Sequence, residues 1–101
     1  MVINSWWDSW LKDIAPYAVL LRLFISGACN ADEFEIVFMR LYLEDDTNWR
    51  DDIFKVLDGL FAVVDSYCPD DDLRAQVGGA DSAQLRLEAE KAFEALRAIA
   101  S

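Results

Sequence analysis

Residues 30–41, Asn30-Ala31-Asp32-Glu33-Phe34-Glu35-Ile36-Val37-Phe38-Met39-Arg40-Leu41, set the pattern for the rest of the chain. Phe34, Val37, Phe38 and Leu41 follow the i, i+3, i+4, i+7 spacing that puts apolar side chains on one face of a helix. Asn30 followed by Glu33 forms a helix-starting capping box, in which each side chain satisfies the other residue's backbone N–H. The spacing predicts a helix over 31–43.

Working outward, Ser26-Gly27 closes the preceding apolar segment, because glycine readily takes the left-handed conformation that ends a helix. That segment holds Trp6, Trp7, Trp10, Leu11 and Ile14, then Pro16, then Tyr17, Leu20, Leu21, Phe24 and Ile25. Proline lacks a backbone donor and clashes with the preceding turn. The expectation is a short N-terminal turn or helix, then a main helix from about 16 to 26.

Downstream, Trp49, Ile53, Val56, Leu57, Leu60, Val64 and Tyr67 form another helical stripe. Thr47 or Asn48 is placed to cap it, Asp51 and Asp52 sit at the positive end of its dipole, and Pro69 is expected to stop it. Pro69, the triplet Asp70-Asp71-Asp72 and Gly78-Gly79 mark 70–82 as a loop. Asp81 with Gln84 then offers a capping pair for a last helix bearing Leu85, Ala89, Ala92, Phe93 and Leu96. No segment alternates with period two. The expected fold is all-α: a small antiparallel four-helix bundle with a short extra N-terminal turn or helix.

The 101 residues fit a single domain over 1–101, and 54% hydrophobic content supplies enough apolar surface for one core. Residues 1–15 form a Trp-rich extension to which no role is assigned. The longest apolar run, 14–29, contains Pro16 and Arg22 and falls short of the roughly 20 residues that span a bilayer. The N-terminal stretch acquires Asp8 and has no basic region, unlike a secretory signal. A cytoplasmic protein without a membrane partner is expected. Cys29 and Cys68 have no CxxC spacing and no histidine nearby, and read as buried reduced thiols.

Several chemistries are disfavoured. The chain has no histidine, so it lacks the commonest neutral-pH base and zinc ligand. Gly78-Gly79 is not followed by the Lys and Ser or Thr of a phosphate-binding loop. Calcium loops starting at Glu44 or Asp70 would place Trp49 or Ala75 where glycine is required and Lys55 or Asp81 where glutamate is required. Neither an enzyme nor a cofactor or metal protein is expected.

What remains is charge. The net charge is −10. Residues 44–72 hold ten acids (Glu44, Asp45, Asp46, Asp51, Asp52, Asp58, Asp65, Asp70, Asp71, Asp72) against Arg50 and Lys55, a local net of −8. Asp51, Asp58 and Asp65, seven apart, stay within about 40° of one another on a helix and run about 21 Å along it. Such a field attracts a basic protein and repels nucleic acid and anionic membranes.

Three ordered motifs bear a resemblance. Asn30-Ala31-Asp32-Glu33-Phe34-Glu35 opens the second helix. Leu60-Phe61, Asp65, Tyr67 and Pro69-Asp70 close the third. Leu73-Arg74 leads through a glycine loop to Gln84-Leu85-Arg86. Over residues 17–97 the chain resembles the colicin D immunity family of small helical proteins, which neutralise a cognate ribonuclease. The acids at Asp65 and Asp70 match the family pattern residue by residue. The resemblance implies an inhibitor that forms a heterodimer with a basic, transfer-RNA-cleaving toxin nuclease domain, its acidic surface imitating phosphate charge. Central contacts would be Asp65, Asp70 and Asp72, with Asp71, Asp58, Asp51, Glu44, Asp45 and Asp46 around them. The competing reading is an acidic helical carrier or adaptor. Against it, neither Asp65-Ser66 nor Asp81-Ser82 continues into the Asp-Ser-Leu of acyl carriers.

Overall fold

The computed structural model describes the backbone of residues 5–100 and the side chains of 14–99. Among the described residues five helices follow one another: α1 (Ser5–Ile25), α2 (Ala31–Glu44), α3 (Asp51–Ser66), α4 (Asp71–Val77) and α5 (Ser82–Ala100). The described residues contain no strand, only an isolated bridge between Tyr67 and Ala80. The fold is all-α. Among the described residues no helix is long and apolar enough to cross a membrane.

The capping box that opens α2 forms as expected, with Glu33 N donating to Asn30 Oδ1 at 2.8 Å and Asn30 N to Glu33 Oε1 at 2.9 Å. Asp81 and Gln84 exchange the same pair of bonds at 2.8 and 3.0 Å ahead of α5. After α1, Gly27 takes φ +85°, and the N–H groups of Gly27 and Ala28 return to the carbonyls of Phe24 and Leu23.

Three sequence expectations need correction. Instead of a short N-terminal element ahead of a helix from 16, a single helix, α1, runs through Pro16. An interior proline costs about 3 kcal/mol. Ile14, Tyr17, Leu20, Leu21 and Phe24 nevertheless form one buried stripe across it, and each such side chain stabilises by about 1.5–3 kcal/mol. Helix α3 begins after Arg50, which makes no side-chain cap, so neither Thr47 nor Asn48 caps it, and it ends at Ser66, ahead of Pro69. Finally, the stretch 70–82 is not simply loop, since it folds α4. The roles of Trp6, Trp7 and Trp10 lie outside the described side chains.

The core draws on the four long helices: Tyr17, Leu21 and Phe24 of α1, Phe34 and Phe38 of α2, Ile53, Leu57 and Val64 of α3, and Leu85 and Ala89 of α5 are all buried. Helix α1 packs on α2 and α5, and α3 packs on the same two. A run of aromatic rings threads this core. Phe24 stacks on Phe34 at 4.5 Å, Phe34 on Phe38 at 5.7 Å, Phe38 on Tyr42 at 5.8 Å and Tyr42 on Phe61 at 4.9 Å. Each such pair adds about 0.5–1.5 kcal/mol beyond burial. Arg86 of α5 lies over the Phe24 ring at 4.8 Å and donates to the carbonyls of Phe24 and Ile25 at 2.8 and 2.9 Å. It thereby satisfies acceptors that the end of α1 leaves without helical partners.

Cys29 and Cys68 are free and half-buried rather than buried, because both sit in the turns that leave helices. Burial, with Glu33 nearby, pushes the Cys29 thiol up.

Candidate functional site

Helix α3 buries Ile53, Leu57, Leu60 and Val64, so the residues on its far side face solvent. Asp51, Asp58 and Asp65 are all exposed there. The acidic line continues past Ser66 into Asp70, Asp71 and Asp72, also exposed, and at the other end into exposed Glu44 and Asp46. Eight of the nine sequence-predicted residues therefore lie on the solvent side of α3 and its flanking segments.

Asp45 is different. It accepts hydrogen bonds from the Tyr17 hydroxyl at 2.6 Å, Thr47 N at 2.9 Å and Trp49 Nε1 at 3.1 Å. Burial by itself would raise this carboxyl, but the bonds from Thr47, Tyr17 and Trp49 outweigh it and hold Asp45 below the usual carboxylate range. Burial and the Asp45 carboxylate push the Tyr17 hydroxyl far above its ordinary value. Asp45 thus works inside the fold as the anchor of the α2–α3 connection.

Other carboxylates have local duties that leave them facing water. Asp70 caps α4 by accepting from Leu73 N at 2.9 Å, and Asp71 pairs with Arg74 at 2.5 Å. Asp58 accepts from the Tyr42 hydroxyl at 3.3 Å. Asp52 lies outside the predicted set and pairs with Arg50 at 2.6 Å.

Two acids that the sequence reading left out join the surface from α2. The Tyr67 hydroxyl donates to Asp32 at 2.8 Å. Partial burial, then the charges of Asp32 and Asp65, push the Glu35 carboxyl up, which places Glu35 in the field of acids from both helices. Burial, then the hydrogen bond to Asp32, pushes the Tyr67 hydroxyl up to about 12. The clue was available, since Asp32 and Glu35 lie on the side of α2 that carries Tyr42. Seeing it required knowing that α3 packs there.

The surface is thus a band of carboxylates along the α2–α3 seam, with Tyr42, Tyr67 and half-buried Phe61 set among them. Among the described residues no group of three or more acidic or thiol side chains is arranged to hold a metal ion. Such a band can attract cations and accept charge-assisted hydrogen bonds. Ser66 does not sit as a carrier serine would, since it lies in the last turn of α3 and donates to the Val63 carbonyl at 2.8 Å, whereas Ser82 opens α5 after Asp81 and is followed by Ala83 rather than leucine.

Comparison with curated proteins and with solved structures finds no match. A family model, by contrast, matches residues 13–96, most of the chain. The chain belongs to the bacterial self-protective colicin-like immunity family, and is therefore an inhibitor of a toxin rather than an enzyme.

Proposed function

We propose that this protein neutralises a colicin D-like nuclease toxin by seating its acidic band in the basic cleft where the toxin holds transfer RNA. The observation that supports this reading is the line of exposed carboxylates, interrupted by Lys55, along α3 and into α4, on a chain of the immunity family. Nuclease clefts gather lysines and arginines to bind phosphates. A rigid helix presenting carboxylates at about 10 Å intervals (seven residues at 1.5 Å each) offers those cations alternative partners in charge-assisted hydrogen bonds.

In this reading Asp65, Asp70 and Asp72 are the central contacts, with Asp71, Asp58, Asp51, Glu44 and Asp46 around them, and Asp32 and Glu35 reinforcing the field from α2. Asp45 acts by holding the α2–α3 connection in place. The four long helices serve as an antiparallel bundle that keeps the band stiff, and the inhibitor acts in the cytoplasm as a one-to-one heterodimer with the toxin domain.

The test is charge reversal. Asp65→Lys with Asp72→Lys should weaken binding to the cognate toxin domain by about a hundredfold or more and leave the helical circular-dichroism signal unchanged. Undiminished affinity would remove the acidic band from the mechanism.

A further inference from the structure

Helix α4 stands apart from the rest of the fold. None of its residues is buried, and it packs against none of the other described helices. A seven-residue helix is marginal on its own, so its order has to come from elsewhere. It comes from a closed base. Cys68 N donates to the Ala80 carbonyl at 2.9 Å and Ala80 N to the Ser66 carbonyl at 3.1 Å, pinning the two ends of the 67–80 excursion together. Gly79, at φ +107°, makes this closure possible, since a Cβ there would run into the Ser66 carbonyl oxygen. Asp70 caps the helix start. Arg74 bonds Asp71 and reaches back to the Cys68 carbonyl at 2.8 Å.

All of this fixes a small helix whose two large apolar side chains face water. Leu73 is 49% exposed and Val77 70% exposed. Four residues apart, they lie on one face. Helical binding segments use this i, i+4 arrangement to insert side chains into a groove. A segment held in shape before binding loses less conformational entropy on docking.

The chemistry of the occupant follows from the surrounding charge. Asp70, Asp71 and Asp72 are all exposed, and the only base in α4, Arg74, is turned inward onto Cys68 and Asp71. A second copy of this chain would bring two aspartate triplets together and be repelled. A basic surface would be attracted.

We infer that α4 is a preformed docking element whose Leu73 and Val77 enter an apolar recess bordered by lysines and arginines on the toxin. The proposal rests on the reading of this chain as the inhibitor of a basic nuclease toxin. It adds an apolar anchor, which slows dissociation, to an acidic band that speeds association.

The experiment measures association and dissociation rates between the full chain and its cognate toxin domain, for the wild type, Leu73→Ser, Val77→Ser and the double variant. Circular dichroism first checks that each variant is folded. The double variant is expected to dissociate about tenfold faster or more, with an association rate and salt dependence like the wild type's. Wild-type dissociation rates in the folded double variant would overturn the α4 proposal and leave the toxin-binding reading standing. Failure of the wild type to bind the toxin domain at all would overturn both. Toxin-free dimerisation abolished by the same substitutions would identify a second copy as the occupant and also overturn it.

Discussion

The hydroxyl of Tyr17, buried in α1, donates a 2.6 Å hydrogen bond to Oδ2 of Asp45, the residue that follows α2. The same carboxylate oxygen accepts from Trp49 Nε1, and Tyr17 and Trp49 meet edge to face at 6.1 Å. Three segments are therefore joined at one charge. Tyr17→Phe should destabilise the fold by about 1.5–3 kcal/mol, the usual worth of a hydrogen bond to a charged group. The hydrogen bonds hold Asp45 below the usual carboxylate range. Its stabilisation is therefore complete above about pH 4 and disappears as the pH falls through the lowered folded value. In urea melts Asp45→Asn should be less stable than the wild type at pH 7, with the gap closing toward pH 2.

Glu35 has the opposite sign. Partial burial, then Asp32 and Asp65, raise its carboxyl, so ionising it works against the folded state. The penalty is absent below about pH 4 and develops as the pH rises through the raised value. Glu35→Gln should raise Tm at pH 7 and leave it unchanged at pH 3. The gain at pH 7 should stay below about 1 kcal/mol, because solvent screens a carboxylate this accessible.

Gly27 and Gly79 both have positive φ, but a Cβ at Gly27 meets nothing within 4 Å whereas one at Gly79 strikes the Ser66 carbonyl. Gly27→Ala should cost only the backbone strain, about 1 kcal/mol. Gly79→Ala should cost more, up to about 3 kcal/mol, and hydrogen exchange should show the amides of Cys68 and Ala80 losing protection while α5 keeps its own.

These features were unequally legible in the sequence. The extent of α2 and the start of α5 could be read because their signals are local: Asn30 with Glu33, Asp81 with Gln84, and the apolar periodicity that follows each. The path of α1 through Pro16 could not, because the cost of proline is local while the buried stripe that offsets it depends on α2 and α5. Helix α4 was hidden by its own composition. Asp70, Asp71 and Asp72 resemble a solvated loop, yet they also make an N-cap and an acidic first turn, and Arg74 with Gly78 supplies the stop. On the acidic band, Asp51, Asp58 and Asp65 could be aligned by their spacing of seven. Asp32 and Glu35 reach it only through helix packing, and Asp45 looked like its neighbours until Tyr17 and Trp49 were seen to enclose it.

A field made by exposed carboxylates should act mainly on the rate of encounter. Raising ionic strength from roughly 0.01 M to roughly 0.15 M shortens the Debye length from about 30 Å to about 8 Å. Stopped-flow mixing with the toxin domain should show association slowing by about tenfold or more over that range, with dissociation little changed. An Asp51→Asn, Asp58→Asn, Asp65→Asn variant should show a shallower salt dependence and a slower rate at low salt.

The central claim is that these carboxylates stand in for the phosphates of the toxin's substrate, and competition tests it most directly. The toxin domain, inactivated so that it binds without cutting, is loaded with fluorescent transfer RNA and titrated with this protein. One equivalent should displace the RNA completely, and the apparent Kd should rise in proportion to added RNA. A stable ternary complex, with the inhibitor bound while the RNA stays in place, would contradict the account.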